Sequence, residues 1–231
     1  MKILIVVLFI TMAPSIGFSQ EIIAKTRTWS WLISVRSEGT PSKESCRLEL
    51  VAEGFRGKNA INIKRKGINC GLYGPVRIYA SEAWDRKSTI VLLEAMRGGD
   101  GDHTGPVVEA FRLSHLGFMK LGEAEIFDAT YHIKDGQILY VTGHISFSLQ
   151  MQSPAWPNME DSIAVPVVMT LGARSVWLRP TISKKERELL VQKFEAKTAA
   201  LLEGHDDEFT STYIKPHIDN IRKYLKGFLE R

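Results

Sequence analysis

Cysteine is scarce in this 231-residue sequence, with Cys46 and Cys70 as its only two thiols. A bacterial lipoprotein needs a cysteine at its new N-terminus, and the first one here is residue 46, so lipid anchoring is not expected. Asn-x-Ser/Thr sequons are also missing. That leaves no acceptor for N-glycosylation and favours a bacterial periplasm over a eukaryotic secretory route. Beyond the N-terminus no apolar run reaches the roughly 20 residues that a spanning helix needs. Internal repeats and low-complexity tracts are not found, so nothing marks a repeat architecture.

What is present begins with Met1 and Lys2, then a largely apolar run from Ile3 to Ala13, then Pro14, Gly17, Phe18 and Ser19. A short positive start, an apolar middle and small residues before a cut are the parts of a secretory signal peptide. Residues 1–19 are expected to be removed, leaving a mature chain that starts at Gln20. A run of about a dozen residues is too short for an uncleaved anchor. Loss of Lys2 takes the formal charge from +4 to +3. In an oxidising compartment an even cysteine count predicts a disulfide between Cys46 and Cys70, worth roughly 3 kcal/mol in the chain-entropy model. Two buried free thiols are the alternative.

From about residue 28 to 180 apolar residues recur with period two, the signature of strands with two different faces. Trp29, Trp31, Ile33 and Val35 alternate with Ser30, Leu32, Ser34 and Arg36; Cys46, Leu48, Leu50 and Ala52 alternate with Arg47, Glu49, Val51 and Glu53. Further strands are expected at 60–64, 76–80, 89–96, 107–113, 124–133, 138–149, 164–171 and 175–179. The 124–133 and 138–149 pair meets at Asp135-Gly136, whose tolerance of positive φ suits a tight hairpin.

Near Thr181 the period becomes helical. Ser183 and Glu186 form a capping box, and Leu190, Phe194 and Leu201 share a stripe, with Gly204 as the stop. A second helix is signalled by Pro216 in its first turn and by the face Ile214, Ile218, Ile221, Leu225, with Phe228 or Leu229. The expected fold is mainly β, an antiparallel sandwich or open barrel over residues 20–180, followed by a helical hairpin at 181–231. That hairpin has too little core to fold alone, so it is expected to pack on the sheets.

The segment from Arg97 to Pro106 carries most of the chemistry that the sequence suggests. Asp100, Asp102 and Thr104 alternate ahead of Gly105, a spacing that lets oxygens converge on calcium. The twelfth position of such a loop is Phe111, where a bidentate Glu belongs, and strands rather than helices flank it. A solvated turn is the competing reading. His103 beside either aspartate could act as a general base, although no nucleophile elbow accompanies it. Glu94 and Glu109 flank the loop and would lie roughly opposite in a hairpin, as the carboxylates of a glycoside hydrolase do. His115, His132, His144, His205 and His217 lack metal-ligand spacing, and a hairpin centred on 135–136 pairs 132 with 139 rather than with 144. Trp156, in a proline-stiffened loop, is either a contact residue or a lid over the core.

Basic residues gather at 58–66, at 184–187 and along the last helix, with a sequence pI near 9.0. Such a surface attracts anionic partners. The last helix could rest on a membrane surface, but packing of its apolar face on the sheets is preferred. No aromatic-basic motif points to nucleic acid. The function expected is an exported, non-catalytic binding module for a protein or envelope component. The alternative is a calcium- or carboxylate-dependent hydrolase centred on the Asp100–His103 loop.

Overall fold

A computed structural model describes residues 22–37, 46–56, 59–70, 76–83, 87–96, 106–148, 162–203, 208 and 210–230. Twelve strands form three antiparallel sheets of four. The first contains β1 (Ile22–Arg27), β2 (Trp31–Ser37), β3 (Cys46–Arg56) and β4 (Asn59–Cys70), and the second β5 (Arg77–Glu82), β6 (Thr89–Met96), β7 (Pro106–Ser114) and β8 (Gly117–Glu125). The third runs β12-β11-β10-β9, from β9 (Phe127–Lys134), β10 (Gln137–Ser148), β11 (Ser162–Leu171) and β12 (Val176–Pro180). Each neighbour in sequence is a neighbour in its sheet, as short turns dictate. Two helices follow, α1 (Lys184–Leu202) and α2 (Lys215–Leu229), the latter entered through a π-helical turn at Thr210–Ile214.

The chain divides into two compact units, residues 1–126, 131–141 and 170–177 against residues 127–130, 142–169 and 178–231. The helices therefore share a unit with parts of the third sheet.

In the first unit the β1–β4 and β5–β8 sheets enclose one core. Ile33, Val35, Leu48, Leu50 and Ala52 meet Ile78, Val91, Leu93, Phe111 and Leu113 there. β1 runs beside β5 and β4 beside β8, which shields the sheet edges. The reverse face of the β5–β8 sheet is also buried: Ile90, Leu92, Val108 and Ala110 face the 131–141 and 170–177 segments, where Tyr131 reaches Glu94 and a Cβ on Gly122 would meet Val176. Burial on both faces explains why Ile90 to Leu93 of β6 read as a continuous apolar run rather than an alternation.

Several expectations are corrected. Trp29 leaves the core face. The Thr28 N–H donates to the Trp31 carbonyl at 2.8 Å, and this turn puts Trp29 in solvent, 75% exposed. Glu49, expected outside, is fully buried with Val51; Lys64 Nζ stands 3.8 Å from its carboxylate, and neither oxygen accepts a hydrogen bond from a described residue. The strand expected at 124–133 is two strands. Ile126 between them is fully buried and donates to the Pro106 carbonyl at 3.0 Å, and Asp128 takes φ +53°, so the chain leaves one sheet and enters another. β1 was not expected, and β4 runs on to Cys70 through the basic Lys64-Arg65-Lys66.

The Asp135-Gly136 hairpin forms as expected, with φ +52° and +76° at its two turn residues, the positive pair that a type I′ turn requires. In the second unit Ile163, Val165, Val167 and Met169 are buried while Ala164 and Pro166 are exposed, so this stretch of β11 has a single core face. The capping box closes the start of α1: Ser183 Oγ accepts from the Glu186 N–H at 3.3 Å, and Glu186 Oε2 accepts from the Ser183 N–H at 2.7 Å. Phe194 and Leu201 of α1, and Ile218, Leu225, Phe228 and Leu229 of α2, are buried, with Phe228 against Phe147 at 6.2 Å between ring centroids. Arg222 clasps the two helices. Its Nε and Nη2 donate to the Glu195 carboxylate at 2.9 Å each, and its guanidinium lies over the Phe194 ring.

Candidate functional site

β6 and β7 form the hairpin expected around the 97–105 loop, but its register separates the two candidate carboxylates. Glu94 is opposite Val108, and Glu109 is opposite Leu93. Since side chains alternate along a strand, Glu94 and Glu109 project from opposite faces of the sheet. They cannot flank one glycosidic bond. Asp100, Asp102, His103, Thr104 and Trp156 lie outside the described residues, as do the side chains of Cys46 and Cys70. Among the described residues no group of three or more His, Cys, Asp or Glu side chains could hold a metal ion.

Glu109 faces Lys120, whose Nζ is 3.4 Å from one carboxylate oxygen and 2.5 Å from Glu123. Glu94 is bound more fully. Arg77, its cross-strand partner on β5, donates to Oε1 at 3.2 Å, and the Tyr131 hydroxyl donates to Oε2 at 2.6 Å. Tyr131 also stacks on Tyr79, with ring centroids 3.8 Å apart. Burial raises the Tyr131 phenol far above its ordinary range, and the negative charge and hydrogen bond of Glu94 push the same way. Burial, then Glu94, raises Tyr79 as well. Tyr131 is thus a fixed neutral donor to an anion already paired with Arg77. That chemistry fastens two layers of the first unit and leaves no free base.

His132 stacks on Tyr140 at 4.3 Å, and His144 stacks on Phe127 at 5.4 Å. His144 Nδ1 is 3.5 Å from the carboxylate of Asp128, which is 89% exposed. Two such groups in water make an ion pair when His144 is protonated, and little more.

The exposed surface that stands out is that of α2. Its buried side takes up Ile218, Leu225, Phe228 and Leu229, so helical spacing turns Tyr213, Pro216, Asn220, Lys223, Tyr224 and Gly227 outward as one stripe. Tyr213 is 59% and Tyr224 72% exposed. Asn220, Lys223, Tyr224, Gly227 and Phe228 line an open concavity of about 240 Å³. Of the nearby carboxylates, Asp219 and Glu195 are both engaged by Arg222, while Lys223 forms no ion pair with any described residue. The apolar face and the basic residues of this helix were both legible in the sequence. The tyrosines were the overlooked signal: Tyr224 is on the exposed side of α2, and Tyr213 is exposed in the π-helical turn before it. No described helix is long and apolar enough to cross a membrane. Comparison with protein-family models, curated proteins and solved structures finds no match to this chain.

Proposed function

We propose that the chain is an exported, non-catalytic binding module that engages a protein or another cell-envelope component. The observation that carries this reading is the α2 stripe. Tyr224 and Lys223 are exposed on a helix whose apolar side is already spent on its own unit. Tyrosine buries a large area at small entropic cost, which is why it is enriched at binding hot spots. Export rests on the signal-peptide pattern of residues 1–19, with Gln20 as the first mature residue. The compartment agrees with the cysteines. Cys46 and Cys70 are opposite partners in the β3–β4 ladder, and in an oxidising space we expect them bonded.

The test replaces Tyr224 with a photo-crosslinking phenylalanine analogue in the full chain expressed in bacteria, with Leu189 of α1, also exposed, as the control position. The expected result is an exported protein that begins at Gln20, has no free thiol, and gives a discrete adduct from position 224 but not from 189. An uncleaved protein in the cytoplasm would remove export. Equal or absent labelling at the two positions would remove α2 as the binding face.

A further inference from the structure

We infer that the concavity on α2 receives an acidic polypeptide segment of the partner, one that presents a carboxylate next to an apolar side chain. This rests on the binding-module reading and names the partner's chemistry. Four features of the site lead to it.

The first is charge. The stripe from Tyr213 to Gly227 contains no carboxylate, and Glu195 and Asp219 are both paired with Arg222, Glu195 with Lys226 as well. Lys223 at the rim is an uncompensated cation beside the amide of Asn220. Both donate hydrogen bonds to an anion.

The second is Gly227. A Cβ added there would meet nothing within 4 Å. Glycine is among the worst residues for a helix interior, and no contact with a described residue requires its bare backbone. What its absence of side chain does provide is a floor open to a closely approaching group.

The third is the pair of rings at 224 and 228, four residues apart and therefore neighbours on the helix surface. Tyr224, 72% exposed, supplies most of the apolar area beside Gly227, and Phe228, 9% exposed, adds a small part to the lining. The fourth is size: about 240 Å³ is below the range of drug-sized and cofactor pockets and fits one or two side chains. An anionic lipid headgroup would satisfy Lys223 too. Interfacial helices, however, bury their apolar side in the bilayer, and α2 has buried its own in the protein.

The test uses the oxidised mature protein, isotope-labelled for amide NMR. It is titrated with a hexapeptide of alternating glutamate and phenylalanine, with the lysine-phenylalanine counterpart, and with phosphatidylglycerol vesicles. Expected are shifts centred on residues 220–228 with the acidic peptide alone. Lys223→Glu should weaken that binding about tenfold, the scale of a single interface hot spot. Gly227→Ala separates folding from recognition, because it should raise Tm by about 2–4 °C through helix propensity and still weaken binding about tenfold. Equal response to both peptides, response to vesicles only, or unchanged affinity in Gly227→Ala would overturn the inference. Should position 224 crosslink in cells while the acidic peptide leaves residues 220–228 unmoved, the binding-module reading stands and this assignment falls.

Discussion

Replacing Tyr131 with phenylalanine should make the protein less stable at neutral pH but more resistant to alkali. The phenol donates at 2.6 Å to Glu94, a carboxylate with only 8% of its side chain exposed. A hydrogen bond to a charged group contributes about 1.5–3 kcal/mol, and the lower end applies because Arg77 keeps the other oxygen satisfied. Tyr131→Phe should therefore cost about 1.5 kcal/mol at pH 8. The alkaline limb has the opposite sign. Folding holds the phenol protonated, whereas in the unfolded chain it ionises near its ordinary value of 10.0. The stabilisation is complete below that pH and is lost as pH rises above it, at about 1.4 kcal/mol per pH unit for one retained proton. Tyr79, stacked on Tyr131 and coupled to it, is carried as Phe in both proteins so that the difference reports Tyr131 alone. The two stability curves should then converge near pH 11. Urea melts followed by circular dichroism from pH 8 to 11 measure this directly. A Tyr131→Phe variant within 0.5 kcal/mol of the parent at pH 8, or a difference that stays constant up to pH 11, would refute the reasoning about this hydrogen bond.

Three other outcomes follow from packing and capping. Gly54 faces Trp31 in the ladder, and an added Cβ would lie 2.6 Å from both the indole and the Ser30 carbonyl; Gly54→Ala should cost about 1–3 kcal/mol and shift the tryptophan emission. Ser183→Ala removes the cap of α1 and should cost about 1 kcal/mol, read as a lower urea midpoint with an unchanged slope. Arg222→Lys should fail to restore what Arg222→Ala loses, about 1 kcal/mol and smaller in high salt, because lysine cannot present two parallel donors to Glu195 or lie flat on Phe194.

The parts of the fold legible in the sequence were those that local chemistry decides. Asp135-Gly136 demanded positive φ, Ser183 with Glu186 could cap a helix, and Thr89 to Met96 was apolar enough to be a strand in any setting. What stayed hidden depended on partners far along the chain. Glu49 alternates as an outward residue should, and its burial is set by tertiary packing that no local pattern encodes. The break at Ile126 has no glycine or proline to announce it, since the bend is fixed by a hydrogen bond to Pro106, twenty residues earlier. Glu94 and Glu109 were correctly placed on one hairpin. Their faces depended on register, and a shift of one residue decides whether two carboxylates cooperate or never meet. Tyr224 was readable on the helical period of α2, but only burial shows which side of that helix remains free.

The β5–β8 sheet has no solvent-facing side along β6, where seven of eight residues are buried. Sliding β6 by one position against β7 would exchange the contents of two cores at once, driving Glu94 toward Ile78 and Phe111 and sending Leu93 toward Tyr131. Pairing errors on this strand are thus rejected from both directions, which most antiparallel strands, wet on one face, do not experience. The amides of β6 and β7 should consequently form the last-opening unit in native-state hydrogen exchange, released only when the whole first unit unfolds, while β1 at the margin exchanges through local fraying.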